Sequence, residues 1–248
     1  MSEYDIMMFP GGFSYGDDTG SGNAFANRLK NNLWKELLEF VGAGKPILGV
    51  CNGFQIMTYL GLFALPEVDG GQYGQIINAL ESNNSNRYEC RWVNIKTNHQ
   101  DNNDSNRNDS NHSITLSKCI FTKNISMTHI PIAHGEGRFV CDKKTLDALK
   151  KNNQIVFIYC DEDGRLANGV YPINPNGALS DIAAICDRTG KIMGMMPHPE
   201  RSIYSLNEPE FHLKKEIAKR SGKQLPKIIE SNFLIFKNAV EFVKNKSD

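Results

Sequence analysis

Two short apolar runs, YDIMMF at residues 4–9 and PILGV at 46–50, each stop at a glycine-bearing corner, with a helix-period stretch between them. In that stretch Leu33, Trp34, Leu37, Leu38 and Val41 recur with the 3.6-residue period, and Gly42 and Gly44 end the helix ahead of Pro46. A strand, a helix and a strand in this order make a crossover, which returns the chain to the same edge and sets the two strands parallel. Helical spacing resumes in NGFQIMTYLGLF, where Phe54, Met57 and Leu60 share a face and Gly61 stands near the end. The expected fold is therefore α/β: a doubly wound, mostly parallel sheet flanked by helices, with 1–248 as a single domain. Ligands of such sheets bind outside the carboxyl ends of the strands. Both the loop PGGFSYGDDTGSG and Cys51 fall on that edge.

Farther along, RYECRWVNIK alternates as a strand does, MTHIPIAHGEGRF and IVFIYC read as ordered segments, and KIMGMM is a last buried strand leading into PHPER. GRLANGVYPINPNGALSDIAAICD carries the Gly, Pro and Asn punctuation of turns between short strands. Residues 226–244 place Ile229, Phe233, Phe236, Val240 and Val243 at helical spacing, which predicts an amphipathic helix against one sheet face. The segment NHQDNNDSNRNDSNHS at 98–113 has almost no apolar content and cannot offset the entropy of ordering itself, so a disordered surface insertion is expected there.

Charge narrows the function classes. Lys plus Arg and Asp plus Glu are equal at 28 each, so no long-range field gathers nucleic acid or an anionic membrane. Six cysteines occur without a CxxC pair, which argues against a zinc ribbon or a disulfide framework and predicts mostly small buried apolar side chains, with no metal site. No apolar run approaches a membrane span, and MSEYDIMMFPGG does not have the pattern of a secretory signal, so a cytoplasmic location is expected.

The corner after PILGV carries a thiol. A thiolate is the reactive form of cysteine, and helix N-termini favour it. In Gly49-Val50-Cys51-Asn52-Gly53 the flanking glycines permit a tight turn that projects the side chain, as in a serine nucleophile elbow. A buried cysteine at an ordinary strand–helix junction fits the same letters. A nucleophile needs a base, and the base needs an orienting group. His198 and Glu200 of MMPHPER sit two residues apart, so in an extended segment the carboxylate can hold the imidazole; a solvated loop is the plainer alternative. Gly11 and Gly12 of PGG, with the N–H of Asn52, offer backbone donors for a developing oxyanion, although PGG alone also suits a simple turn.

PGGFSYGD, GVCNGFQI, RYECRWVN, HGEGRF and MMPHPER, in this order, resemble the glutaminase part of phosphoribosylformylglycinamidine synthase, within the class I (triad) glutamine amidotransferases, a flavodoxin-like fold family. The resemblance covers nearly all of residues 4–204 except the Asn-rich segment. It implies that Cys51 attacks the carboxamide of L-glutamine and forms a glutamyl thioester with release of ammonia, that His198 shuttles the proton, and that Glu200 orients His198. It further implies oxyanion donors at Gly12 and Asn52 with Gly11 shaping the loop, substrate contacts from Gln55 and Arg91, and a supporting or partner-facing place for His134 and Arg138. The ammonia would pass to an ATP-dependent synthetase subunit or domain making formylglycinamidine ribonucleotide in purine synthesis. No cofactor is expected in this chain: there is no GxxxxGK[ST] loop, so ATP and Mg are expected in the synthetase partner. Free glutaminase activity is expected to be low until that partner docks.

Relatives of this kind begin with a strand, a helix and another strand ahead of the PGGFSYGD segment, whereas here that segment starts at Tyr4. In a 2-1-3-4-5 order the missing first unit would leave one side of YDIMMF without a neighbour. An inactive or regulatory interaction module, and a class I amidotransferase serving another synthetase, are the competing readings.

Overall fold

The structure, a computed structural model, describes residues 1–16, 20–98 and 118–247. Residues 99–113 of the Asn-rich segment lie outside the described residues. The expected opening is present: β1 (Met7–Phe9), α1 (Asn23–Gly42), β2 (Ile47–Val50) and α2 (Asn52–Leu60) follow in order, with Gly61 in the left-handed conformation closing α2. The predicted helix carrying Leu33, Trp34, Leu37, Leu38 and Val41 is the second half of α1, whose backbone departs from helical geometry at Leu33 (φ −136°, ψ 15°). After α2 come α3 (Pro66–Asp69), β3 (Ala79–Ser82), β4 (Glu89–Thr97), β5 (Met127–His134), β6 (Glu136–Val140), α4 (Lys143–Lys151), β7 (Ile155–Cys160), β8 (Ile182–Cys186), β9 (Ile192–Met195), α5 (Phe211–Arg220) and α6 (Glu230–Ser247).

Among the described residues a seven-stranded sheet has the order β1-β2-β9-β8-β7-β4-β5, and β3 and β6 form a separate two-stranded sheet. In direction the large sheet is mostly parallel: β1, β2, β9, β7 and β5 run one way, β8 and β4 the other. As neighbours, however, only β1–β2 and β2–β9 are parallel pairs. The reason is local. The β7–β8 and β8–β9 connections contain no α-helix, so those strands return antiparallel, whereas α1 carries the chain from β1 to β2. β1 pairs with β2 alone among the described residues and stands at the sheet's edge, with Met8 39% exposed.

The sheet is not flat. β2 and β5 are five steps apart in the strand order, about 24 Å in a planar sheet at ~4.8 Å per step. Yet the Cys51 sulfur lies 3.7 Å from the Ala133 carbonyl oxygen, and the His198 N–H donates to the Pro131 carbonyl at 2.8 Å. Twist and curl therefore bring the ends of β2, β9 and β5 to one place. The helix nearest that place, α2, packs on β1, β2 and β9. Close approach depends on missing side chains: a Cβ at Gly194 would stand 2.1 Å from Phe54 Cδ2, and Phe54 in turn meets Phe63 edge-on at 5.3 Å.

The last helix begins at Glu230 rather than at Pro226, because residues 226–228 are occupied elsewhere. Ile228 bridges to Tyr204, and the Ser205 N–H donates to the Lys227 carbonyl. α6 then packs on β5 and on the short helical turns at Ile120–Thr122 and Pro199–Arg201, with Ile235 and Ala239 buried. Neither α4 nor α5 was foreseen from the sequence: each carries several charges and offers only a narrow apolar stripe.

Candidate active site

Cys51 occupies the corner between β2 and α2 with φ 52° and ψ −110°, a backbone conformation that a residue with a side chain rarely adopts. Such a residue stores on the order of 1–3 kcal/mol and persists only where its surroundings hold it. Here its N–H donates to the Met195 carbonyl at 2.8 Å, and its own carbonyl accepts from Gln55 N at 3.1 Å, so the elbow is clamped from both sides. The flanking glycines do something other than the turn expected of them. Neither has positive φ; instead a Cβ at Gly53 would lie 1.9 Å from the Phe9 carbonyl oxygen and one at Gly49 2.2 Å from Met57 Sδ. They let α2 sit against β1 and β2, and the strain is carried by the cysteine itself.

His198 reaches the same corner from the end of β9. Its Nδ1 pairs with Glu200 Oε1 at 2.6 Å, and its Nε2 is buried with no hydrogen-bond partner among the described residues. Gly11 marks how close the two groups come, since a Cβ there would be 2.7 Å from His198 Cε1 and 3.4 Å from Cys51 Cβ. Burial opposes a charge on this imidazole, but its contacts with Cys51 and Glu200 prevail and hold the pKa up at about 9. The ring therefore carries a proton at neutral pH.

The turn bearing His198 is anchored by a fully buried residue of α6. Asn232 Nδ2 donates to the carbonyls of Ser202 and His129, both at 3.1 Å, while its Oδ1 accepts from Thr128 Oγ1 at 2.6 Å. Asn232→Ala removes all three contacts, leaving Thr128 Oγ1 only its Ser231 partner, and should cost about 1–3 kcal/mol in urea unfolding. Activity should fall more than the loss of folded protein accounts for, because the His198 turn loses its tie.

The glycine loop is tied to α2 by a run of side chains. Ser14 N and Oγ both donate to Asn52 Oδ1 (3.3 and 2.7 Å), Asn52 Nδ2 donates to Gln55 Oε1 (2.9 Å), and Gln55 Nε2 donates to the Glu136 carbonyl (2.6 Å). Gly12 takes φ 141°, and Asn52, as the first residue of α2, has an N–H without an acceptor one turn back. A strained cysteine, a carboxylate-held histidine and a glycine loop thus meet at the carboxyl end of three parallel strands.

Residues 1–243 match the family described as the CobB/CobQ-like glutamine amidotransferase domain. A phosphoribosylformylglycinamidine synthase subunit PurQ from Methanococcus maripaludis (strain S2) is 63% identical over 242 residues, covering 98% of this chain and 82% of that one. The chain belongs to this glutamine amidotransferase family, with the PurQ subunits. The PurQ of Archaeoglobus fulgidus is 36% identical over 250 residues, covering 98% of this chain and 79% of the relative. Among solved structures, a chain of PurLQS from Thermotoga maritima aligns with a TM-score of 0.62 at 26% identity, covering 98% of this chain and 82% of that one.

Other residues singled out in this amidotransferase are engaged within the chain. Arg91, read as a contact for glutamine, has its guanidinium paired with Glu89 at 2.7 Å and stacked on the Tyr171 ring at 4.8 Å. Gln55 is 5% exposed and engaged at both ends of its amide. Arg138 pairs with Glu81 of β3 at 2.5 Å. His134, expected either toward a partner or in support of the site, is buried at 2% exposure. The sequence signal was HGEG: a Cβ at Gly137 would be 2.3 Å from His134 Cε1.

Tyr159 was missed altogether, although it is the one polar tip in IVFIYC. It is fully buried, its hydroxyl accepts from Asn176 Nδ2 at 3.3 Å, and burial together with the nearby Cys51 raises its pKa. None of the six cysteines forms a disulfide among the described residues, and four of them, including Cys51, are buried. Among the described residues no group of three or more His, Cys, Asp and Glu is placed to hold a metal ion.

Proposed function

We propose that this chain is the glutamine-hydrolysing subunit of a phosphoribosylformylglycinamidine synthase and that Cys51, His198 and Glu200 are its catalytic triad. The observation that carries the triad is the convergence of His198 and Cys51 on Gly11 at a strained elbow. The Cys51 sulfur attacks the carboxamide carbon of glutamine, and the oxyanion forms beside the N–H groups of Gly12 and Asn52. As the C–N bond breaks, His198 gives its Nε2 proton to the departing nitrogen, leaving ammonia and a glutamyl thioester. Water activated by the now neutral imidazole then releases glutamate, and His198 is reprotonated. Glu200 fixes the ring so that Nε2 faces the sulfur, and Gly11 keeps the approach clear.

The ammonia is consumed by a synthetase partner that makes the amidine. The likeness to a chain of PurLQS supports a PurL-type partner, and that partner would carry ATP and Mg, since the sequence has no phosphate-binding GxxxxGK[ST] loop. The reaction belongs in the cytoplasm; among the described residues no helix is long and apolar enough to cross a membrane. Glutamate release from glutamine, measured with and without a PurL-type synthetase, tests the reading: stimulation by that partner is expected, and no hydrolysis under either condition refutes it.

The pH profile tests the triad. Protonated His198 is the required acid, so kcat/KM should hold below its pKa of about 9 and fall above it. Glu200→Gln removes one of the two contacts that raise this pKa. The alkaline limb should move to lower pH, and kcat/KM at pH 7 should drop by about 10²-fold or more. An unmoved limb would show that Glu200 does not orient His198.

A further inference from the structure

Two buried imidazoles, His198 and His134, lie close enough to act on each other electrostatically, and they are held in the same way with opposite results. His198 presents Nδ1 to a carboxylate, whereas His134 presents Nδ1 to Asn83 Oδ1 at 3.1 Å. The orientation of Asn83 is fixed by its other contacts. Its Nδ2 donates to the carbonyls of Arg87 and His134, both at 2.8 Å, and its Oδ1 also accepts from Gly137 N at 3.3 Å. Oδ1 is therefore an acceptor, His134 Nδ1 carries the hydrogen, and His134 Nε2 is a bare lone pair. That nitrogen is buried and has no hydrogen-bond partner among the described residues.

The backbone at His134 also adjoins the corner that carries Cys51. The Cys51 sulfur rests 3.7 Å from the carbonyl of the peptide bond joining Ala133 to His134. Burial first, and the charge on neighbouring His198 second, push the His134 pKa down to about 3, so this ring stays neutral beside a ring that is protonated. A buried acceptor is destabilising unless something donates to it. Glutamine hydrolysis makes one small molecule rich in N–H donors at this spot.

We propose that His134 Nε2 receives the ammonia cleaved from glutamine, accepting one of its N–H bonds as it leaves the Cys51 thioester. The inference rests on the triad reading above. No proton moves in this step: His198 has already supplied the proton that completes NH₃, and His134 only accepts a hydrogen bond. A neutral acceptor suits the task, because an imidazolium in its place would protonate ammonia to ammonium, which has no lone pair for the synthetase reaction. His134 is thus the first hold on ammonia between the two chemistries.

The test uses the complex with the PurL-type synthetase and reads amidine formed per glutamate formed, a ratio independent of how fast glutamine is cleaved. His134→Asn leaves no acceptor at the Nε2 position, and the ratio should fall at least two-fold; His134→Gln, whose Oε1 reaches farther, should restore most of it. A ratio unchanged in His134→Asn, or lowered equally in both variants, overturns the proposal. If the variants do not fold, nitrogen-15 NMR of the histidine-labelled wild-type complex at pH 8.5 decides. The His134 Nε2 resonance should be that of an unprotonated nitrogen and should shift on adding ammonium chloride; a protonated Nε2, or one indifferent to ammonia, overturns it. Failure of the triad reading is seen separately, as glutamate formation that survives Cys51→Ala.

Discussion

Cys51→Ala should lower glutamine hydrolysis in the synthetase complex by about 10⁴-fold or more, because it removes the sulfur proposed to form the acyl intermediate. The fold should survive: the side chain is small, and alanine keeps the Cβ that the elbow already tolerates. Cys51→Gly goes further. Glycine adopts φ 52° without the steric cost that cysteine bears there, so this variant should be inactive and yet more stable than the wild type, by about 1 kcal/mol or more in urea unfolding. Gained stability would show that the cysteine at this corner is held under strain, while the lost activity follows from the missing sulfur. Equal or lower stability of Cys51→Gly would show that the positive φ stores nothing.

The largest expected effect on folding is at Gly53. An added Cβ would lie 1.9 Å from the Phe9 carbonyl oxygen and 2.6 Å from its carbon, both backbone atoms of a paired strand. No side-chain rotation relieves that clash, so α2 must move off β1. Gly53→Ala should therefore cost about 3 kcal/mol or more, a large part of the ~5–15 kcal/mol that holds a domain together. Because α2 carries Cys51 at its start, any folded fraction should also hydrolyse glutamine poorly. A urea midpoint equal to that of the wild type would show that α2 and β1 are not packed this closely.

What was legible in the sequence was the part governed by local pattern. The apolar runs of β1, β2 and β9, the helical period of α2 and α6, and the Cys, His-x-Glu and Pro-Gly-Gly motifs each announce themselves within a dozen residues. The curl of the sheet does not. Nothing in PIAHGEG or IVFIYC says that β5 and β7 bend round toward Cys51, so the sequence leaves His134 open between two places and does not point to Tyr159. The sequence likewise does not show that in the folded chain Asn52 and Glu136 hold Gln55, and Glu89 and Tyr171 hold Arg91, the two residues expected to contact substrate. The glycines around Cys51 were located correctly but given the wrong task, since their value lies in a helix-to-strand contact that only the tertiary structure creates.

The most direct measurement is peptide mass mapping of the synthetase complex quenched in acid during turnover of glutamine. A glutamyl adduct confined to the peptide containing Cys51, and absent from Cys51→Ala, is the predicted result. An adduct on another residue, or steady ammonia release from a protein with no sulfur at position 51, would contradict it.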